Sequence, residues 1–297
     1  MVKILIIGRN ELAREVIKNI KKSNYILAYV KPEKIRSNRG LSALNYCKKY
    51  NIKIFQENKK NTLSKIIKIF KPKILISCGY PKIIDEKILK KINYPINIHF
   101  GALPKYRGCY SIPMAILNNE KKIGITFHLM DKGIDSGPII EQYFIKNNNK
   151  NSCKQLYLKA VFTASKKILM LIKKIIKKKI KLKIQKQKHS SYYSLSSLKN
   201  KKINYNLDIN YIKNFIRAHY FPPFSPSYKY INRKKIYFLW PLKIKKSARS
   251  NNKIGDIKIY NKEAYIKTKN GFLVPNLIKY KKNIILFKNF IKKDYLV

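Results

Sequence analysis

Acidic residues are scarce in this chain. Only 14 Asp and Glu accompany 67 Lys and Arg over 297 residues, leaving a formal charge of +53 at pH 7. So lopsided a balance excludes a surface laced with carboxylate–ammonium pairs and makes anions the partners the molecule attracts. Arginine is scarce too, with 8 Arg against 59 Lys. Because Arg is the better bidentate phosphate ligand, its small share argues against a dedicated nucleic-acid surface. Abundant Ile and Asn beside the Lys point instead to a composition bias of the kind an AT-rich coding sequence produces.

Other shortages exclude other classes. Cys47, Cys78, Cys109 and Cys153 are scattered without a C-x-x-C pair, so neither a zinc knuckle nor a dithiol redox centre is expected, and the thiols read as reduced. Gly8 follows the first apolar run without companion glycines, which removes the dinucleotide fingerprint and any inference of a nicotinamide cofactor. There is no G-x-S-x-G elbow for a serine hydrolase. No apolar run approaches the roughly 20 residues that span a bilayer, and the opening "MVKILIIGRN" breaks at Gly8, Arg9 and Asn10, too soon for a signal-peptide core. The expectation is a soluble, cytoplasmic protein with no membrane partner. What the chain does have is 45% hydrophobic residues, enough for one large domain or a medium one plus a small one.

Those apolar residues alternate between strand-like and helix-like patterns. "KILIIG" leads to Asn10, read as an N-cap, and then Leu12, Val16, Ile17 and Ile20 fall on one helical face. "YILAYV" is a second strand, residues 41 to 50 are helical, "IKIF" is short and extended, and "NTLSKIIKIF" is a helix stopped by Lys71 and Pro72. "KILISC" is a further buried strand. The alternation predicts an α/β fold with a mostly parallel, Rossmann-like sheet and helices on both faces.

Polar residues interrupt this pattern in two places. In the strand "INIHF" the period of two sends Asn97 and His99 to one face. Downstream, the strand "IGITFHLM" runs into "DKGIDSG", where Gly133 and Gly137 permit turns that bring a carboxylate back toward the sheet. Asp135 is the carboxylate placed opposite His99, beyond the carboxyl ends of the strands where open sheets bind ligands. His128, inside an apolar run, is read as structural. A metal site from His99, His128, Asp131 and Asp135 lacks any standard ligand spacing, and no metal is expected.

"NIHFGALPKYRG" followed by "DKGIDSG" resembles the folate-dependent formyltransferases, a group of enzymes acting on methionyl-tRNA, glycinamide ribonucleotide or amino sugars. The likeness covers the chain well to about residue 180 and more weakly through "SYYSLSSLKNKKINYN" and "NFIRAHYFPPFSPSY". It implies attack by an amine on the formyl carbon of N10-formyltetrahydrofolate. Asn97 would donate to the developing oxyanion, His99 would move protons, and Asp135 would orient the imidazole and raise its pKa. The folate co-substrate would lie against Lys82, Ile83, Ile84 and Cys109, and against the loop of Asp131, Lys132, Gly133, Ile134 and Asp135.

Departures from the family pattern bear on the acceptor. This chain reads "GALP" where the tRNA enzymes have "SLLP", and "RGCYSI" where they have "RGAAPI". The segment "KPEKIRSNRGLSALNYCKKYN" is shorter than their basic loop, and "SCGYPKIIDEKIL" is more similar to the sugar-nucleotide enzymes. An amino-sugar nucleotide is therefore the favoured acceptor, with initiator methionyl-tRNA as the alternative. A basic nucleic-acid-binding protein on an inactive enzyme fold is a third reading, and a hydrolase releasing formate a fourth. The expected organisation is a catalytic domain over 1–188, a linker over 189–206 and a small C-terminal, OB-like β-barrel over 207–297. That last expectation follows from short β-prone runs such as "KKIYFLW", "AYIKT" and "NIILF". "SCKQ", residues 152 to 155, reads as a capping box opening a long helix between the two.

Overall fold

The computed structural model describes residues 1–33, 41–60, 62–247 and 252–295. The chain forms two compact units. One comprises Met1–Gly108, Ile123–Ile145 and Leu158–Tyr192; the other comprises Cys109–Lys122, Lys146–Tyr157 and Tyr193–Val297.

The first unit opens with β1 (Lys3–Gly8), α1 (Asn10–Ile20), β2 (Ile26–Lys31), α2 (Leu41–Lys49), β3 (Lys53–Gln56), α3 (Leu63–Phe70), β4 (Ile74–Cys78), the short α4 (Glu86–Leu89) and β5 (Tyr94–His99). A two-residue β6 (Arg107–Gly108) comes next, and after α5 (Ser111–Leu117), which belongs to the second unit, the chain returns to the sheet as β7 (Lys122–Leu129) and β8 (Ile139–Lys146). The sheet order is β3-β2-β1-β4-β5-β7-β8. The first five strands pair in parallel, whereas β7 runs antiparallel to β5. Ile4 and Ile6 of β1 are as fully buried as Leu5 and Ile7, because a parallel sheet is covered on both faces. Leu5, Ile7, Ala28, Val30 and Leu75 pack with Leu63, Ile66, Ile67 and Phe70 of α3, while α1 lies against β1 and β4. Each fully buried Ile or Leu contributes about 1.5–3 kcal/mol.

Local signals set the helix ends. Thr62 Oγ1 accepts from the Lys65 N–H to start α3, and Lys71, at φ +50°, closes it with its N–H on Ile67 O. The Asn10 reading needs correction. Helix α1 begins at Asn10 itself, and the N-cap position is held by Arg9, with no side-chain cap bond.

In the second unit, Ser152 and Gln155 form the expected reciprocal box at the start of α6 (Cys153–Ile176). The Ser152 N–H donates to Gln155 Oε1 at 2.8 Å and the Gln155 N–H to Ser152 Oγ at 3.2 Å. After a short β9 (Tyr192–Tyr193) come α7 (Ile209–His219), β10 (Tyr228–Ile231), β11 (Lys234–Phe238), β12 (Leu242–Lys246), β13 (Ile257–Tyr260), β14 (Glu263–Thr268), β15 (Gly271–Pro275), β16 (Leu277–Tyr280), β17 (Asn283–Leu286) and α8 (Phe287–Tyr295). They build two antiparallel four-stranded sheets, β10-β11-β16-β17 and β12-β15-β14-β13. Ile236, Phe238 and Ile278 of one sheet share a core with Leu242, Ile266 and Leu273 of the other and with Ile212 and Ile216 of α7.

Candidate active site

Asp135 is the hub of a polar cluster in the first unit. Its Oδ2 lies 3.3 Å from His99 Nδ1 and accepts the Gly108 N–H at 2.9 Å; its Oδ1 accepts from Asn97 Nδ2 at 3.0 Å and lies 3.3 Å from His128 Nε2. Asn97, His99 and Asp135 therefore meet, and His128 joins them. Strand register explains why: β5 and β7 pair Asn97 directly opposite His128, so the two side chains share a face. His128 is thus part of the cluster and not a buried residue apart from it. The signal available in the sequence was the alternation that sets Thr126 and His128 on one side of β7 and Ile125 and Phe127 on the other.

The route of Asp135 to His99 also differs from expectation. Because β7 is antiparallel, its carboxyl end lies beside the start of β5, where the Met130 N–H donates to Pro95 O. The loop then doubles back, closing with the Leu129 N–H on Pro138 O, and Asp135 turns inward at φ +52°, a left-handed conformation that Asp tolerates better than most residues. Gly137 permits the return, since a Cβ there would stand 2.0 Å from Leu129 O. Asp131 braces the loop from within, accepting from the Gly133 N–H at 3.0 Å and Ser136 Oγ at 2.7 Å. Lys132, Gly133 and Ile134 form its exposed rim.

Two residues to which the sequence reading assigned no role hold this loop. Gln185 Nε2 donates to Asp135 O at 2.9 Å and Gly137 O at 2.7 Å, and its Oε1 accepts from buried Arg107 at 2.9 Å. Arg107 also donates to Gln187 Oε1 at 2.8 Å. Nothing in the local sequence links positions 107, 135 and 185; only the fold does.

His99 is buried, with Nε2 2.6 Å from Tyr106 O. Both ring nitrogens face acceptors, so a neutral ring can satisfy only one of them. Burial pulls the His99 pKa down, Asp135 pulls it up, and the net shift is downward. Asp135 does act in the expected sense, but desolvation exceeds it. Burial alone would raise the Asp135 carboxyl, yet the His99 charge, His128 and the Gly108 N–H outweigh it and hold the group well below the usual carboxylate range. The result is a fixed carboxylate beside an imidazole whose second proton is held by opposing forces. Gly101 makes room for this contact: a Cβ there would approach His99 Nε2 to 2.5 Å and Tyr106 O to 2.7 Å.

The other expected ligand contacts are distributed over the loop after β4 and the residue after β6. Lys82 is part-exposed, Ile83 is exposed, Ile84 is buried in the α3 core and Cys109 is half-buried. Exposed Ile83 and Ile134 leave apolar surface on two loops of the unit.

Residues 2–172 match the Formyl transferase family, and residues 196–294 match Formyl transferase, C-terminal domain. The chain belongs to the formyl transferase family. This formyltransferase is 29% identical over 246 residues to the methionyl-tRNA formyltransferase of Clostridium tetani, covering 80% of this chain and 79% of that one. It is 36% identical over 200 residues to the bifunctional polymyxin resistance protein ArnA of Wigglesworthia glossinidia brevipalpis, covering 66% of this chain and spanning 30% of that relative's length. Among solved structures, an N-formyltransferase from Helicobacter canadensis, in complex with folinic acid and dTDP-3-aminofucose, has a TM-score of 0.72 at 27% identity. The alignment covers 93% of this chain and 98% of that one. The sugar 3N-formyl transferase WlaRD, solved with dTDP and 5-N-formyl-THF, has a TM-score of 0.69 at 27% identity, with 95% and 99% covered. Among the described residues, no helix is long and apolar enough to cross a membrane.

Proposed function

We propose that this folate-dependent formyltransferase moves the formyl group of N10-formyltetrahydrofolate to the primary amine of an amino-sugar nucleotide. The donor supplies an activated formyl group; the chain supplies proton movement and charge stabilisation. Asn97 spends one amide hydrogen on Asp135. Its second, now 3.2 Å from His128 Nε2, is the one available to an oxygen gaining negative charge. His99 Nε2, facing Tyr106 O in the free chain, takes the proton of the attacking amine and returns it to the departing nitrogen. Asp135 keeps the ring oriented through Nδ1 and stabilises its charged form. Lys82, Ile83, Ile84 and the loop from Asp131 to Asp135 line the donor's path in this reading.

The observation that carries the acceptor is the end-to-end correspondence with two sugar-directed enzymes, matched over nearly their whole length by both units of this chain. The methionyl-tRNA relatives and the charge of +53 support the rival acceptor. The segment expected to lack the long tRNA-directed loop includes residues 34–40, which lie outside the described residues. Incubation with N10-formyltetrahydrofolate and a panel of amino-sugar nucleotides, beside charged initiator tRNA, tests the reading by mass spectrometry of the products. A formylated sugar amine is expected; formylation of the tRNA alone would overturn it.

A further inference from the structure

Glu57 takes no part in the cluster around Asp135, yet it is buried, and among the described residues no other Asp or Glu is buried to that degree. It follows β3 directly, and its backbone N–H donates to Lys31 O at the end of β2, which fixes it to the sheet. A buried carboxylate persists only when its oxygens are matched. Here the Tyr80 hydroxyl lies 2.8 Å from both oxygens, and Lys82 Nζ lies 2.9 Å from Oε1. Burial first, and then Glu57, raise the Tyr80 pKa, so the phenol stays a donor. The hydrogen bond to Glu57 is also the main cause raising the Lys82 pKa.

Both partners stand on the loop that follows β4. Gly79 turns that loop at φ +66° in open space. The Tyr80 ring and buried Ile84 pack against the α3 core, and Lys82 is tied between them. Ile83 is left outside, 76% exposed, between partly exposed Lys82 and buried Ile84. An apolar side chain held out by anchored neighbours on both sides is a platform waiting to be covered. The Lys82 charge, meanwhile, is taken by Glu57 and by Glu33 at 3.5 Å, so the loop has apolar surface to offer a ligand before it has a cation.

We propose that Glu57 is a positioning residue for the formyl donor, holding the loop through Tyr80 and Lys82 so that Ile83 stays presented to the ring system of the folate. This deepens the proposed function and rests on its placing of the donor against Lys82, Ile83 and Ile84. Glu57→Gln keeps an acceptor for Tyr80 but sets an amide against the Lys82 ammonium. Tyr80→Phe removes only the hydroxyl.

The test titrates folinic acid, a stable isomer of the donor, into the full chain by calorimetry and measures steady-state kinetics and thermal midpoints alongside. Glu57→Gln is expected to weaken folinic acid binding and raise the donor KM by about tenfold, the scale of loss for a misplaced contact, and Tyr80→Phe to move both in the same direction. kcat and the acceptor KM should stay within about twofold, since neither the reacting groups nor the acceptor contacts move. A lowered thermal midpoint with unchanged folinic acid affinity would make Glu57 merely structural and overturn the proposal. If Glu57→Gln does not fold, Tyr80→Phe decides by the same readouts. Failure of the wild-type chain to bind folinic acid would overturn the reading of the donor site as well, which separates the two failures.

Discussion

At the scale of the residue, the arrangement makes Asn97, His99 and Asp135 unequal. His99→Ala removes the proton carrier and should lower turnover by roughly 10²-fold or more. Asn97→Ala removes an oxyanion donor and should lower it by roughly 10²–10³-fold. Unchanged turnover in both folded variants would refute the assignment. Asp135→Asn tests the electrostatics. His99 already titrates below its ordinary value because desolvation exceeds the pull of Asp135, so the acid limb of kcat/KM should fall below the ordinary histidine pKa of about 6.5. Removing Asp135 removes the nearby charge that, among the described residues, favours the imidazolium. The limb should therefore move to still lower pH as the rate falls, and a limb moving upward would show that the carboxylate is not coupled to this ring. The three residues were legible in the sequence because the period of two and the glycine-bracketed loop are local signals. His128, Gln185 and Arg107 were not, because their contacts depend on strand register and on chain returning from far downstream.

At the scale of the element, loops and strands divide the same way. Strands β1, β2 and β4 coincide with the apolar runs read from the sequence, since buried parallel strands need continuous apolar residues, and β5 and β7 coincide with the runs "INIHF" and "IGITFHLM". The capping box at Ser152 was equally plain, its reciprocal bonds lying within four residues. The antiparallel sense of β7 was not, because nothing in "IGITFHLM" records its direction relative to β5. The turn "FGALPKYRG" joins sheet to site, and Gly101 is the position where a side chain would meet the catalytic ring itself. Gly101→Ala places a Cβ within 2.5 Å of His99 Nε2, so His99 or the Tyr106 carbonyl must shift. Turnover should drop by at least about tenfold while the thermal midpoint changes far less, because the displaced groups belong to the site and not to the core. A midpoint collapse with normal activity in the surviving folded fraction would contradict that division.

At the scale of the whole molecule, the charge of +53 is the property that most resists interpretation from sequence, since drift and selection leave the same lysines. Salt separates the two acceptors where composition cannot. A tRNA contacted at 6–10 phosphates should lose roughly 10³–10⁵-fold in apparent affinity between 50 and 200 mM salt. A sugar nucleotide offers far fewer phosphates, so the proposed reaction should show a shallow salt dependence and saturate with the small acceptor alone. The end of α6 supplies a second arm. Lys173, Lys177 and Lys178 are exposed there, whereas Lys174 pairs with Glu141 and must be left intact to avoid setting two carboxylates against each other. Reversing the charge of the three exposed lysines should slow encounter with an anionic acceptor modestly, because long-range steering is spread over the whole surface. Efficient formylation of charged initiator tRNA, steeply inhibited by salt and lost in the three-site variant, would reject the sugar nucleotide. Binding of RNA without formylation would not, because a surface of this charge attracts phosphate whatever reaction the site performs.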